Sequence, residues 1–201
     1  MEFDEVLRRR AMVRSFASDE VAAPVIDRMV AAALRSPTAG NTGGTAWVVL
    51  SGVAETAVYW DATTDDAWRA RSPRWEGLCR APVVLLAYAS AASYVARYAE
   101  PDKSDTVLGS TELNWPVPYW TGDAAFGVMT LLLAAVDAGL GACVLGNFRG
   151  EAALAAALGV PPEWRLFCAV LVGHADGDDH PSPSLARTVP DMSERIHRGS
   201  W

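Results

Sequence analysis

Four arginines fall within seven positions near the N-terminus, in RRRAMVRSF (residues 8–16), although the chain as a whole carries a net charge of −7. A guanidinium stays charged at physiological pH and grips phosphate oxygens through two parallel N–H bonds, so such a cluster suits a phosphate. Arg8 and Arg9 serve equally well as solvated charges beside a helix C-terminus. Arg10 and Arg14 are four apart where that helix ends, a spacing that lets both converge on one anion. A second polar element is PTAGN (37–41), whose small residues let main-chain N–H groups approach a ligand and whose Asn41 offers both a donor and an acceptor. The same composition also makes a plain helix-to-strand connection. A third element is Arg187, within SPSLARTVP, which alone would be an ordinary surface charge.

No acid, base or nucleophile set accompanies these groups. His174, His180 and His197 lack HExxH or HxH spacing, and GxSxG and GxxxxGK[ST] are missing. GLGAC (139–143) superficially suggests a dinucleotide motif. It lies between a helix and a strand, the reverse of the required order, and has no third glycine. Cys79, Cys143 and Cys168 are widely spaced with no CxxC pair, which argues against a disulfide framework and a zinc site. We therefore expect no metal and assign no catalytic side chain. Phosphate-seeking arginines without a catalytic set point to a cofactor that carries its own chemistry.

The elements that must position these groups are visible in the hydrophobic pattern. Half of the 201 residues are apolar (51%) and mean hydropathy is slightly positive at +0.11, enough for a substantial core in one domain spanning residues 1–201. Basic residues are sixteen Arg and one Lys with no basic stripe, so nucleic acid is not an expected partner. Helical spacing predicts helices over 2–10 and from Pro24 to just before Pro37, and a short one over 150–158. Strands are expected over 46–50, 82–88, 141–145 and 166–174. AAFGVMTLLLAAV (124–136) is apolar on every face, which predicts a helix over 123–138 buried within the protein, its apolar run too short to cross a membrane. Residues 89–122 read as irregular, and the segment after 174 has no strong period. MEFDEVLRRR lacks the apolar stretch of a signal peptide, so a cytoplasmic location is expected. Uneven alternation of helices and strands favours a mixed sheet covered by helices over a doubly wound parallel one.

Taken in order, RRRAMVRSF, PTAGN after an amphipathic helix, the apolar helix leading to DAGLGAC, and VLVGH resemble the FMN-dependent nitroreductase family. YAEPDK (98–103) and WPVPYW (115–120) resemble one of its subgroups. The resemblance covers nearly the whole chain, from about residue 4 to Trp201. It implies an α+β fold with a mixed, mainly antiparallel sheet flanked by helices, in an intertwined homodimer with two FMN sites lined by both chains. Arg10 and Arg14 would hold the FMN phosphate and ribityl region beside the Ala11 and Met12 backbone, with Arg187 completing the clamp. Pro37, Thr38, Ala39 and Asn41 would border the ring, and Leu145 and Gly146 would supply main-chain contacts near it. Trp115, Tyr119 and Trp120 lie where relatives place substrate-contacting residues, although aromatic packing in the core or interface suits each of them as well. Many relatives carry Gln two residues after the Asn; Gly43 stands there in this chain.

The implied chemistry is ping-pong: NADH or NADPH reduces FMN at N5, then a small-molecule acceptor such as a nitroaromatic or a quinone replaces the nicotinamide. Two other readings suit the same residues. One is a flavin-dependent tailoring dehydrogenase acting on a specialised metabolite; the other is a flavin-binding or flavin-storing protein without turnover.

Overall fold

The computed structural model describes residues 1–180 and 182–201. Its elements are α1 (Phe3–Arg9), α2 (Ala23–Leu34), β1 (Thr45–Ser51), α3 (Gly52–Thr63), α4 (Asp66–Arg71), α5 (Trp75–Cys79), β2 (Val83–Ala89), α6 (Ala91–Tyr98), α7 (Tyr119–Asp137), β3 (Gly141–Leu145), α8 (Glu151–Leu158) and β4 (Arg165–Gly173). The four strands form one sheet in the order β1-β2-β4-β3, every neighbouring pair antiparallel. The mixed sheet expected from the sequence is thus antiparallel throughout its named strands. A parallel element survives in an isolated bridge between Met12 and Ala142.

Central strands β2 and β4 are apolar along most of their length because both of their faces are covered. Val83, Leu85, Ala87, Cys168, Val170 and Val172 face α2 and α7, packing with Ile26, Met29, Val128 and Leu131. Alternate residues Val84, Leu86, Tyr88, Ala169 and Leu171 face the other layer, where Tyr59, Trp60, Leu78, Leu154 and Phe16 cover them.

Two expectations are corrected here. Helix α7 is longer than its apolar run, at 19 residues, and by length and composition alone it could span a bilayer. It is also not buried on every face. Ala124, Gly127, Val128, Leu131, Leu132 and Ala135 form a buried face, whereas Phe126 is 54% exposed and Met129 40% exposed in this chain. The stretch 89–122, expected to be irregular, contains α6, started by Ser90, whose hydroxyl accepts from the Ser93 N–H.

Candidate functional site

Helix α1 ends at Arg9, and the chain continues extended along the sheet edge. Glu5 pairs with both Arg8 and Arg9 on the exposed helix surface, so these two arginines are occupied by a local carboxylate. Their bonds hold the Glu5 pKa below the ordinary glutamate value. From Arg10 the chain runs beside β3. Val13 N–H donates to Ala142 C=O at 2.9 Å, and Ala17 N–H donates to His174 C=O at 2.9 Å. Residues 12–17 are thereby stitched between edge strand β3 and the exit of β4, and this fixes where Arg10 and Arg14 emerge.

They emerge onto a cavity of about 380 Å³ lined by Arg10, Ala11, Met12, Arg14, Asp179, His180, Ser182, Ser184 and Leu185. The structure thus brings together four of the residues singled out in the sequence. It adds the hydroxyls of Ser182 and Ser184, 2.8 Å apart. Two guanidinia and two hydroxyls on one cavity are a donor set suited to a phosphate. Arg14 Nη1 donates to Met12 C=O at 3.1 Å, which orients the guanidinium. One group opposes an anion: the Asp179 carboxylate accepts the Arg14 N–H at 2.9 Å on the wall of the same cavity. Arg187 is exposed, just past the 3-10 turn Pro183–Ala186, and is not on the cavity wall.

The PTAGN loop lies elsewhere. It forms a 3-10 turn, Ala39–Asn41, in which Gly40 (φ 64°) and Asn41 (φ 53°) both adopt the left-handed region. Asn41 is the one non-glycine residue with positive φ among the described residues, and asparagine is among the few side chains that tolerate it. The loop is anchored from two helices. Ala39 N–H donates to Asp123 Oδ2 at 2.7 Å, and Arg97 Nε donates to Gly40 C=O at 2.9 Å. Within the loop, Gly43 N–H donates to the Thr38 hydroxyl at 3.1 Å. Pro37 and Asn41 are exposed, and Pro37 borders a groove of about 560 Å³ shared with Ala32, Arg35, Phe126, Met129 and Leu133.

Leu145 and Gly146 follow β3 and line a third cavity, of about 320 Å³, with Tyr59, Trp60, Trp68 and Phe148. Trp115 is 8% exposed, donates its indole N–H to Leu108 C=O at 3.0 Å, and packs edge-on against Tyr94, Tyr98, Tyr119 and Trp120. It is the centre of an aromatic cluster behind the PTAGN loop, whereas Tyr119 is 45% exposed. Burial, followed by the bond to Asp123, drives the Tyr94 phenol pKa far above the ordinary tyrosine value.

Sequence reasoning missed Asp123, Tyr94, Arg97, Asp179, Ser182 and Ser184. A signal for the first was present: a carboxylate heading an apolar run must be hydrogen-bonded once that run is buried. No cluster of His, Cys, Asp or Glu able to hold a metal occurs among the described residues.

A helix-flanked antiparallel sheet with an arginine-lined cavity at one edge defines an α+β class of fold. The nitroreductase family model matches residues 7–174. The chain belongs to the nitroreductase family. Among solved structures, the fold is similar to nitroreductase CinD from Lactococcus lactis in complex with nicotinic acid, with TM-score 0.78 and 18% identity over 99% of this chain and 100% of that one. It is also similar to a protein of Desulfovibrio desulfuricans in complex with FMN (TM-score 0.70, 17% identity, 100% and 98% covered). A third is a nitroreductase family protein from Clostridium novyi (TM-score 0.66, 20% identity, 100% and 95% covered).

Proposed function

We propose that this chain is the single-domain subunit of a cytoplasmic homodimeric FMN oxidoreductase that uses NADH or NADPH to reduce a small-molecule acceptor such as a nitroaromatic or a quinone. Arg10, Arg14, Ser182 and Ser184 hold the phosphate, with Arg187 closing on it from the following turn. Leu145 and Gly146 border the ring from the same chain, and the 37–41 loop borders it from the second copy. FMN, when bound, supplies the two-electron chemistry. The protein's part is to bind, orient and exclude water, so no side-chain acid is required.

The observation that carries this reading is topological. The PTAGN loop leads into β1 and the arginine segment flanks β3, and these are the two opposite edges of the sheet. Strand spacing separates them by roughly 15–20 Å within one chain. Yet Thr45 at the start of β1 and Leu145 at the end of β3 lie at the same end of the sheet, since Thr45 pairs with Ala89, Ala89 with Arg165, and Leu145 with Ala169. A second copy can therefore set its loop against the first copy's arginines, where one copy alone cannot. Leu34, Phe126 and Met129 (54%, 54% and 40% exposed) supply apolar surface on α2 and α7, beside the loop, for that contact.

The test is the visible spectrum of the purified protein before and after anaerobic NADH or NADPH, with its mass measured by light scattering. A dimer whose flavin spectrum bleaches is expected. A flavin spectrum that persists with both donors refutes the reductase and favours storage or a dedicated dehydrogenase. A monomer that binds flavin fully overturns the shared site.

A further inference from the structure

We propose that Asp123, acting with Tyr94, is the residue that positions the 37–41 loop against the flavin ring; the inference rests on the flavin reading above. Asp123 is 4% exposed, near the start of the mostly apolar α7, and has no ion pair among the described residues. An unpaired buried carboxylate is costly, so what retains it is its hydrogen bonds. Both go to one oxygen: Oδ2 accepts the Ala39 N–H and the Tyr94 O–H, each at 2.7 Å. Tyr94 is itself fully buried, so its hydroxyl needs this acceptor as much as the loop does.

What the bond holds is a left-handed turn. Immediately after Ala39 come Gly40, which takes the left-handed region freely, and Asn41, which occupies a region uncommon for a residue with a side chain, so the contacts around the turn select its conformation. Asp123 fixes the peptide before them. Arg97 fixes the peptide after Gly40, and is itself held by Asp102 through two bonds of 2.7 Å. The ring of Tyr98 closes the remaining side, since a Cβ on Gly40 would lie 2.7 Å from its Cε2. Asn41, presented at the end of this clamp, is exposed, and its side chain has no protein partner among the described residues. Arg97 at the end of α6, together with Tyr98 and Asp102 of the YAEPDK segment, therefore works as the loop's brace.

Because the clamp acts at the ring end, its loss must weaken riboflavin and FMN alike, unlike loss of a phosphate contact. Titrating the apo-dimer by flavin fluorescence, Asp123→Ala is expected to lose about tenfold in affinity for both ligands. Asp123→Asn, which keeps an oxygen for Ala39 and Tyr94, should recover most of that loss at an unchanged melting temperature. Wild-type affinity in Asp123→Ala, or loss confined to FMN, would overturn the inference while leaving the flavin reading intact. Wild-type protein that binds neither ligand would overturn both. Should Asp123→Ala fail to fold, Tyr94→Phe and Arg97→Met test the brace from α6. Each is expected to lose about threefold for both ligands, and unchanged affinities in both would refute the proposal.

Discussion

Replacing Arg14 separates the phosphate contact from every other part of the site. Its guanidinium is partly buried and already oriented by the Met12 carbonyl, so little rotamer freedom remains to be lost on gripping an anion. A charge-assisted hydrogen bond of this kind contributes about 1.5–3 kcal/mol. The Asp179 carboxylate on the same cavity wall and partial solvent access push the figure to the lower end, about 1.5–2 kcal/mol. At about 1.4 kcal/mol per decade, Arg14→Ala should weaken FMN roughly ten- to thirtyfold. Arg14→Lys keeps a point charge without the planar fork and should lose only about three- to fivefold. Riboflavin, which lacks the phosphate, should bind the variants and the wild type equally. The assay is fluorescence titration of apo-protein with both ligands at low and high salt, and the wild-type preference for FMN should shrink as salt rises. Equal losses for riboflavin and FMN would refute the assignment, because the arginine would then be serving the fold or the ring. No loss for either would place the phosphate elsewhere.

Asp179→Asn removes the negative charge from the same cavity while keeping an acceptor for the Arg14 N–H, so FMN affinity should rise by a few-fold at low salt; a fall would mean that Asp179 orients Arg14 and does not oppose the anion. In acid, the Ser15 hydroxyl first, then the Asp178 N–H and the Arg80 guanidinium, hold Asp176 below the ordinary aspartate pKa. The folded state thus binds that proton less readily than the unfolded chain does. Its contribution is complete above about pH 4 and drains as pH falls past the depressed value, so Asp176→Asn should flatten the acid limb of a stability–pH curve. Gly150, the left-handed N-cap of α8 (φ 72°), sits where a Cβ would lie 1.9 Å from the Ala62 carbonyl oxygen. Gly150→Ala should therefore cost about 2–4 kcal/mol by denaturant unfolding, and a change under about 0.5 kcal/mol would mean that α3 and α8 are free to separate.

Much of the fold was legible locally. The four strands, α1, α2, α7 and α8 fall within a few residues of where apolar periodicity and proline and glycine punctuation place them, because those signals act over one or two turns. Helices α3, α4 and α5, between residues 52 and 79, left no such trace: the apolar residues of α3 make no clean stripe, and α4 and α5 are five or six residues long. Helix α6 was masked by its irregular, proline- and aromatic-rich surroundings. In the candidate site, residue types alone pointed to the anion-seeking arginines and the turn-forming PTAGN loop. They could not name the partner of Asp179, which meets Arg14 across 165 residues, or that of Asp123, which meets Ala39 across 84. The sequence by itself determined which groups are available and the local elements that carry them, since propensity, charge and side-chain spacing are properties of neighbouring residues. Tertiary structure alone decided that the loop and the arginines stand on opposite edges of one sheet, that one face of α7 is left uncovered, and that a buried aspartate braces a left-handed turn. Strand order and the pairing of buried polar groups depend on contacts between distant segments, which only the folded chain brings together.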